Sequence, residues 1–70
     1  MADNERYETE YFTVEEVKVE TQDSLLCLLD TGDEVWIPKS QLKDDSEVSS
    51  KGDTGEIAIP RWLAEDRDLI

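Results

Sequence analysis

The longest unbroken apolar run in the sequence is Leu25-Leu26-Cys27-Leu28-Leu29, and every other apolar stretch is shorter and bounded by turn-formers or charge. Pieces of this length are too short for core helices. Bounded by turn signals, they read as strands. Phe12 and Val14 share one parity, Val17 and Val19 the other. A strand that changes its inward parity needs an extra residue, so a β-bulge is expected at Glu15-Glu16. One helical turn using Val14 and Val17 is the rival, but the Val-rich content favours the strand.

The rest of the chain follows the same grammar. The Leu25–Leu29 run, without alternation, is expected to be covered on both faces. Asp30-Thr31-Gly32-Asp33 reads as a hairpin connection, with Gly32 free to take positive φ. In Glu34-Val35-Trp36-Ile37, Val35 and Ile37 face one way and Trp36 the other, and Pro38 ends the strand. Lys39-Ser40-Gln41-Leu42 reads as a short helical turn that tucks Leu42 under the sheet. Residues Lys43 to Gly55 read as a long polar loop, with a short edge strand around Glu47-Val48-Ser49 as an option. Glu56-Ile57-Ala58-Ile59 is a strand, Ile57 and Ile59 inward. Pro60 suits the first position of a helix that runs to Arg67, with Trp62 and Leu63 toward the sheet and Leu69-Ile70 as an apolar clamp.

The expected fold class is therefore mainly β. The shape is a small, partly open barrel or curved meander, SH3-like or OB-like, with a short C-terminal helix. Residues 1–10 are expected to be an acidic flexible tail and residues 11–70 one domain. For 70 residues, stability of about 3.5–10 kcal/mol is expected.

Charge then narrows function. Nineteen Asp and Glu against seven Lys and Arg give a net charge of −12. The cations, Arg6, Lys18, Lys39, Lys43, Lys51, Arg61 and Arg67, are scattered among acids, so direct nucleic-acid binding through phosphates is disfavoured. Basic proteins are the expected partners. With no His and Cys27 alone, thiol–imidazole dyads, Ser-His-Asp triads and the usual zinc sets are excluded. No membrane span or leader peptide is expected, and the lone Cys27 suits a cytoplasmic setting.

Three constellations invite chemical readings. Asp-Thr-Gly occurs at Asp30-Thr31-Gly32 and again at Asp53-Thr54-Gly55. Paired triplets of this kind bring together the carboxylates of aspartic proteases, but the tripeptide is equally good turn chemistry, and a chain this small has no room for two lobes. Asp44-Asp45-Ser46-Glu47 lacks the spacing of a calcium loop, and in Ser50-Lys51-Gly52-Asp53-Thr54-Gly55 the lysine precedes both glycines, the wrong order for a phosphate loop. No catalytic residue, metal ligand or cofactor is assigned.

The aromatics carry more. Trp36 and Trp62 are expected in the core, with the alternative that Trp36 lies open as a contact residue beside Tyr11 or Tyr7. In that alternative the partner-binding residues are Trp36, Lys39, Ser40, Gln41 and Tyr11, with Lys39-Ser40-Gln41 at the barrel mouth supplying polar specificity.

At Glu34-Val35-Trp36-Ile37-Pro38-Lys39-Ser40-Gln41 and Ile59-Pro60-Arg61-Trp62-Leu63-Ala64-Glu65 the sequence resembles a small family of uncharacterised proteins and domains encoded by bacteriophages and prophages. The resemblance implies a phage or bacterial origin and an intracellular setting, and no activity or functional residue.

The leading functional expectation is a non-enzymatic protein-interaction module. A DNA mimic that inhibits a nucleic-acid-binding protein is the alternative, since carboxylates alternating along a strand can imitate phosphates. An OB-like single-strand binder stacking bases on Trp36, Tyr11 and Phe12 is the third, opposed by the sign of the charge. A homodimer covering the Leu25–Leu29 strand stays open.

Overall fold

The computed structural model describes residues 7–70. It contains strands β1 (Thr9–Glu20), β2 (Ser24–Leu29), β3 (Glu34–Pro38) and β4 (Gly55–Pro60), a 3-10 turn at Lys39–Gln41, and helix α1 (Arg61–Asp66). The strands form one antiparallel sheet in the order β3-β2-β1-β4. The first three make a meander, and β4 returns to the free edge of β1. The sheet is curved and does not close into a barrel, the open form of the expected fold.

β1 is 12 residues long because it serves two partners. Thr9 to Val14 pair with β4, and Val14 to Glu20 pair with β2. Its register against β2 slips between Val14 and Glu16, the expected bulge, and slips again between Val17 and Val19. An unpaired extra residue bends a strand and increases its twist, so two close together curl the sheet. The second slip also corrects a face assignment. Val17 and Val19 share parity, yet Val17 is buried and Val19 is 39% exposed, because Lys18 is the extra residue between them.

β1 also begins at Thr9, earlier than the expected start at Tyr11. Thr9 and Glu10 pair with Pro60 and Ile59, and the Arg61 N–H donates to the Glu8 carbonyl at 2.8 Å. The backbone ladder, which polar side chains do not announce, orders this stretch. The expected tail otherwise falls on residues 1–6, outside the described residues.

The β2–β3 turn uses its sequence as read. The Gly32 N–H donates to Leu29 O at 2.9 Å and the Leu29 N–H to Asp33 O at 2.8 Å. Gly32 sits at φ +94°, which gives a three-residue loop closed by a left-handed glycine. That loop sets Leu28 opposite Glu34 and Leu26 opposite Trp36.

The core lies on one face of the sheet, under α1 and the 43–54 segment. Val14, Val17, Leu25, Cys27, Leu29, Ile37, Ile57, Ile59 and Leu63 are buried, with Phe12, Leu42, Trp62 and Leu69 packed against them. Burying one Leu or Ile stabilises by about 1.5–3 kcal/mol. Among the described residues β2 is not fully covered on both faces: Leu25, Cys27 and Leu29 are buried, while Leu26 and Leu28 on the other side are only half-buried. It is β4 whose Ile57, Ala58, Ile59 and Pro60 are all buried.

The polar segment between Lys43 and Thr54 holds no regular strand at Glu47-Val48-Ser49. It is tied down by edge bonds. The Lys43 N–H donates to Ala58 O at 2.8 Å and the Glu47 N–H to Glu56 O at 2.7 Å. Ser46 Oγ accepts from the Ala58 N–H and donates to its carbonyl. Further on, where β4 has parted from β1, the Val17 N–H donates to Asp53 O and the Gly52 N–H to Val17 O. Val48 is buried between these anchors.

Pro60 is the N-cap of α1 and the last residue of β4, one place earlier than expected; its φ of −68° suits both roles. At the other end the Asp68 N–H donates to Glu65 O and the Leu69 N–H to Ala64 O, with Asp68 at φ 60°. This is a Schellman stop that turns Leu69 onto the core. Ile70 is exposed, so only Leu69 clamps.

Candidate functional site

The candidate site is the outer face of β1, β2 and β3. Directly opposed residues of an antiparallel pair share a face. Glu16 opposes Leu28, which opposes Glu34; Val19 opposes Leu26, which opposes Trp36. Two parallel rows result, one acid-apolar-acid and one wholly apolar. Neighbouring strands lie about 4.8 Å apart and alternate residues about 6.7 Å apart, so the array spans about 10 Å by 7 Å.

Trp36 is 44% exposed while Val35 and Ile37 on either side of it are buried. It therefore belongs to the surface and not to the core, for a plain reason: the 43–54 segment reaches the outer side only beside β4, at Tyr11 and Ala58, and leaves Trp36 on β3 open. The second tryptophan, Trp62, is half-buried against the core. Arg67 Nε donates to the Trp36 carbonyl at 3.0 Å and so fixes the backbone of this edge strand.

One charged pair adjoins the rows, and a second lies at the end of the inner face, where Glu20 opposes the buried Leu25. Lys18 Nζ lies 3.5 Å from Glu16 Oε1. Lys39 Nζ lies 2.8 Å from Glu20 Oε2, and Glu20 Oε1 accepts the Lys51 N–H at 3.1 Å. The hydrogen bond from Lys39, followed by that from the Lys51 N–H, holds the Glu20 carboxyl below its usual range. The Lys39 N–H also donates to Asp23 O at 2.7 Å, which places the 3-10 turn against the β1–β2 connection. Within that turn Ser40 is exposed and Gln41 half-buried.

Tyr11 does not join Trp36. It is 51% exposed, stands opposite Ala58 toward the other end of β1, and donates from its hydroxyl to Asp45 Oδ2 at 3.1 Å. That hydrogen bond raises the phenol pKa. Phe12 packs inward, on the face opposite Tyr11, so Trp36, Tyr11 and Phe12 form no common platform.

The other candidate chemistry resolves into turns. Asp30 follows β2 and Asp53 precedes β4, so the two Asp-Thr-Gly triplets flank β1 on opposite sides. Asp53 Oδ2 accepts the Ser49 and Ser50 N–H groups at 2.9 and 3.0 Å, and these bonds lower its pKa. Among the described residues no group of three or more His, Cys, Asp or Glu is placed to hold a metal, and no helix is long and apolar enough to cross a membrane. Cys27 is buried, and desolvation pushes its thiol up to about 11.

Val19, Leu26 and Leu28 were not among the expected site residues. The signal was present: the hairpin through Gly32 fixes the register that puts Leu26 beside Trp36 and Leu28 beside Glu34. The sequence matches no family model, and no curated protein or solved structure shows significant similarity to it.

Proposed function

We propose that this chain is a non-enzymatic protein-interaction module that engages a basic protein partner through the outer face around Trp36. The observation that carries the reading is the half-exposed indole in line with Val19 and Leu26 on a sheet face that the described residues leave open. Exposed Trp is the residue type most enriched among interface hot spots. A net charge of −12 would steer a cationic partner in and repel polyanions. Lys39, Ser40 and Gln41 stand beyond the end of β3 as polar rim residues in this reading; Tyr11 is too far along β1 to contribute to the same contact. A phage or bacterial origin and a cytoplasmic setting belong to the same proposal.

The DNA-mimic reading is less well supported, because Leu28, Leu26 and Trp36 interrupt the carboxylates on this face. The test is Trp36→Ala. Capture from a lysate of the encoding cell should lose a basic protein retained by the wild type, a loss of about 30-fold in affinity for a hot-spot residue. Circular dichroism should stay that of the folded domain. Unchanged capture of that protein by the variant would sink the reading.

A further inference from the structure

Resting on that reading, we propose that the outer face is a clamp for a single Lys or Arg side chain on a short segment of the partner. The cation's aliphatic stem lies along Leu28 and Leu26, and its charged head sits between Glu16 and Glu34 with the Trp36 ring beside it.

The geometry comes from the register. Glu16 and Glu34 oppose Leu28 from the two neighbouring strands, so a half-buried leucine is bracketed by two acidic residues whose backbones lie about 10 Å apart, within reach of one long cationic side chain. Long cationic side chains bury their methylenes on apolar surface while the head keeps polar company. Trp36 follows Glu34 at i+2 on the same face, where its ring can take a cation by cation–π attraction. One of the two carboxylates already has a cation of the chain beside it, Lys18 Nζ lying 3.5 Å from Glu16 Oε1. Lys18 is thereby a resident competitor for the clamp.

Size and charge select this occupant over others. An array of about 10 Å by 7 Å falls far short of the roughly 800 Å² per partner of a stable dimer interface. A second copy would also set Glu16 and Glu34 against their own kind within a pair of −12 chains. Nucleic acids and anionic membrane surfaces carry the wrong sign.

The probes are two synthetic peptides, acetyl-Gly-Ala-Arg-Leu-Gly-amide and its analogue with citrulline, which keeps the stem and shape but lacks charge, in place of Arg. Each is titrated at low salt into the ¹⁵N-labelled full chain. The Arg peptide should move the amide signals of Glu16, Leu28 and Glu34 and the Trp36 indole signal. Glu16→Gln and Glu34→Gln should each weaken binding by about two- to fivefold, the range for an exposed charge pair. Lys18→Ala should tighten it by a similar factor, whereas Lys51→Ala, which removes the same charge elsewhere, should not. Equal binding of the citrulline peptide to this face would overturn the clamp yet leave the Trp36 contact standing. Shifts confined to another surface, such as Asp44 to Glu47, would overturn it too, as would no shift by either peptide or self-association through this face. The broader reading stands or falls separately, on the Trp36→Ala capture.

Discussion

Arg67 donates its Nε–H to the main-chain oxygen of Trp36 at 3.0 Å, and so joins the end of α1 to the exposed edge of the sheet. β3 is that edge strand, and an unpaired edge is a template for another chain. Pro38 has no N–H to offer at its end, and Arg67 covers a carbonyl nearer its middle. Arg67→Ala should cost about 0.5–1.5 kcal/mol, the net worth of such a bond. It should also make the protein associate at high concentration, read by urea unfolding and sedimentation. A variant as stable and as monodisperse as the wild type would mean that Arg67 guards nothing.

Gly55 is the position where backbone and packing leave no room for a side chain. Its φ is +135°, and an added Cβ would fall 2.7 Å from Glu47 Oε1 and 2.9 Å from Glu47 Cβ. The same Glu47 carboxylate accepts the Glu56 N–H at 2.8 Å, so pushing it aside also uncaps the start of β4. Gly55→Ala should destabilise by about 2–4 kcal/mol, combining strain with the lost bond. Gly52, at φ +90° with nothing near its would-be Cβ, should suffer only the strain, about 1–2 kcal/mol. Equal urea midpoints for the two alanine variants would contradict this account.

The contrast between those glycines reflects what a sequence carries. Alternation placed β3 and β4 and pointed Trp36 away from Val35 and Ile37, because period-2 patterning follows directly from the pleat. Whether Trp36 would be covered depended on how far α1 and the 43–54 segment reach, which no local pattern encodes. Leu25 to Leu29 has no alternation, so its half-open outer face was invisible until the Gly32 turn fixed its register. The second slip in β1 could not be seen because Val17 and Val19 have the same parity. The 43–54 segment reads as loop from its composition. Its order comes from Ser46, Glu47 and Asp53 bonding main-chain groups, interactions without periodicity.

Cys27 reports on global opening. It is buried in the middle of β2, and desolvation raises its thiol to about 11. Only the thiolate attacks a disulfide reagent, so the native thiol should be silent at pH 8. Labelling by an aromatic disulfide should proceed only as the domain unfolds, at a rate that falls in step with stability. Gly55→Ala should therefore speed labelling by at least tenfold, since about 1.4 kcal/mol is one decade of unfolded population. Rapid labelling of the stable wild type would show instead that β2 opens locally.

Acid sets two opposing effects against each other. Glu20 and Asp53 both have lowered pKa values in the folded state, Glu20 through Lys39 and the Lys51 N–H, Asp53 through the Ser49 and Ser50 N–H groups. A depressed folded pKa means stability that is present above the unfolded value, near about 4, and lost as pH falls through the folded one. Together these two carboxylates hold the 49–53 turn to the end of the sheet, so its anchoring should loosen below about pH 4. Lowering the chain's large net negative charge relieves self-repulsion and works the other way. The sum for the wild type is thus shallow, and the difference between variants isolates the bonds. Glu20→Gln and Asp53→Asn should lower the urea midpoint at pH 7 and flatten the loss on acidification. Added salt should raise the midpoint of all three proteins at pH 7 by screening the −12 charge. Stability profiles that run parallel from pH 7 to pH 3 would show that neither carboxylate anchors the turn.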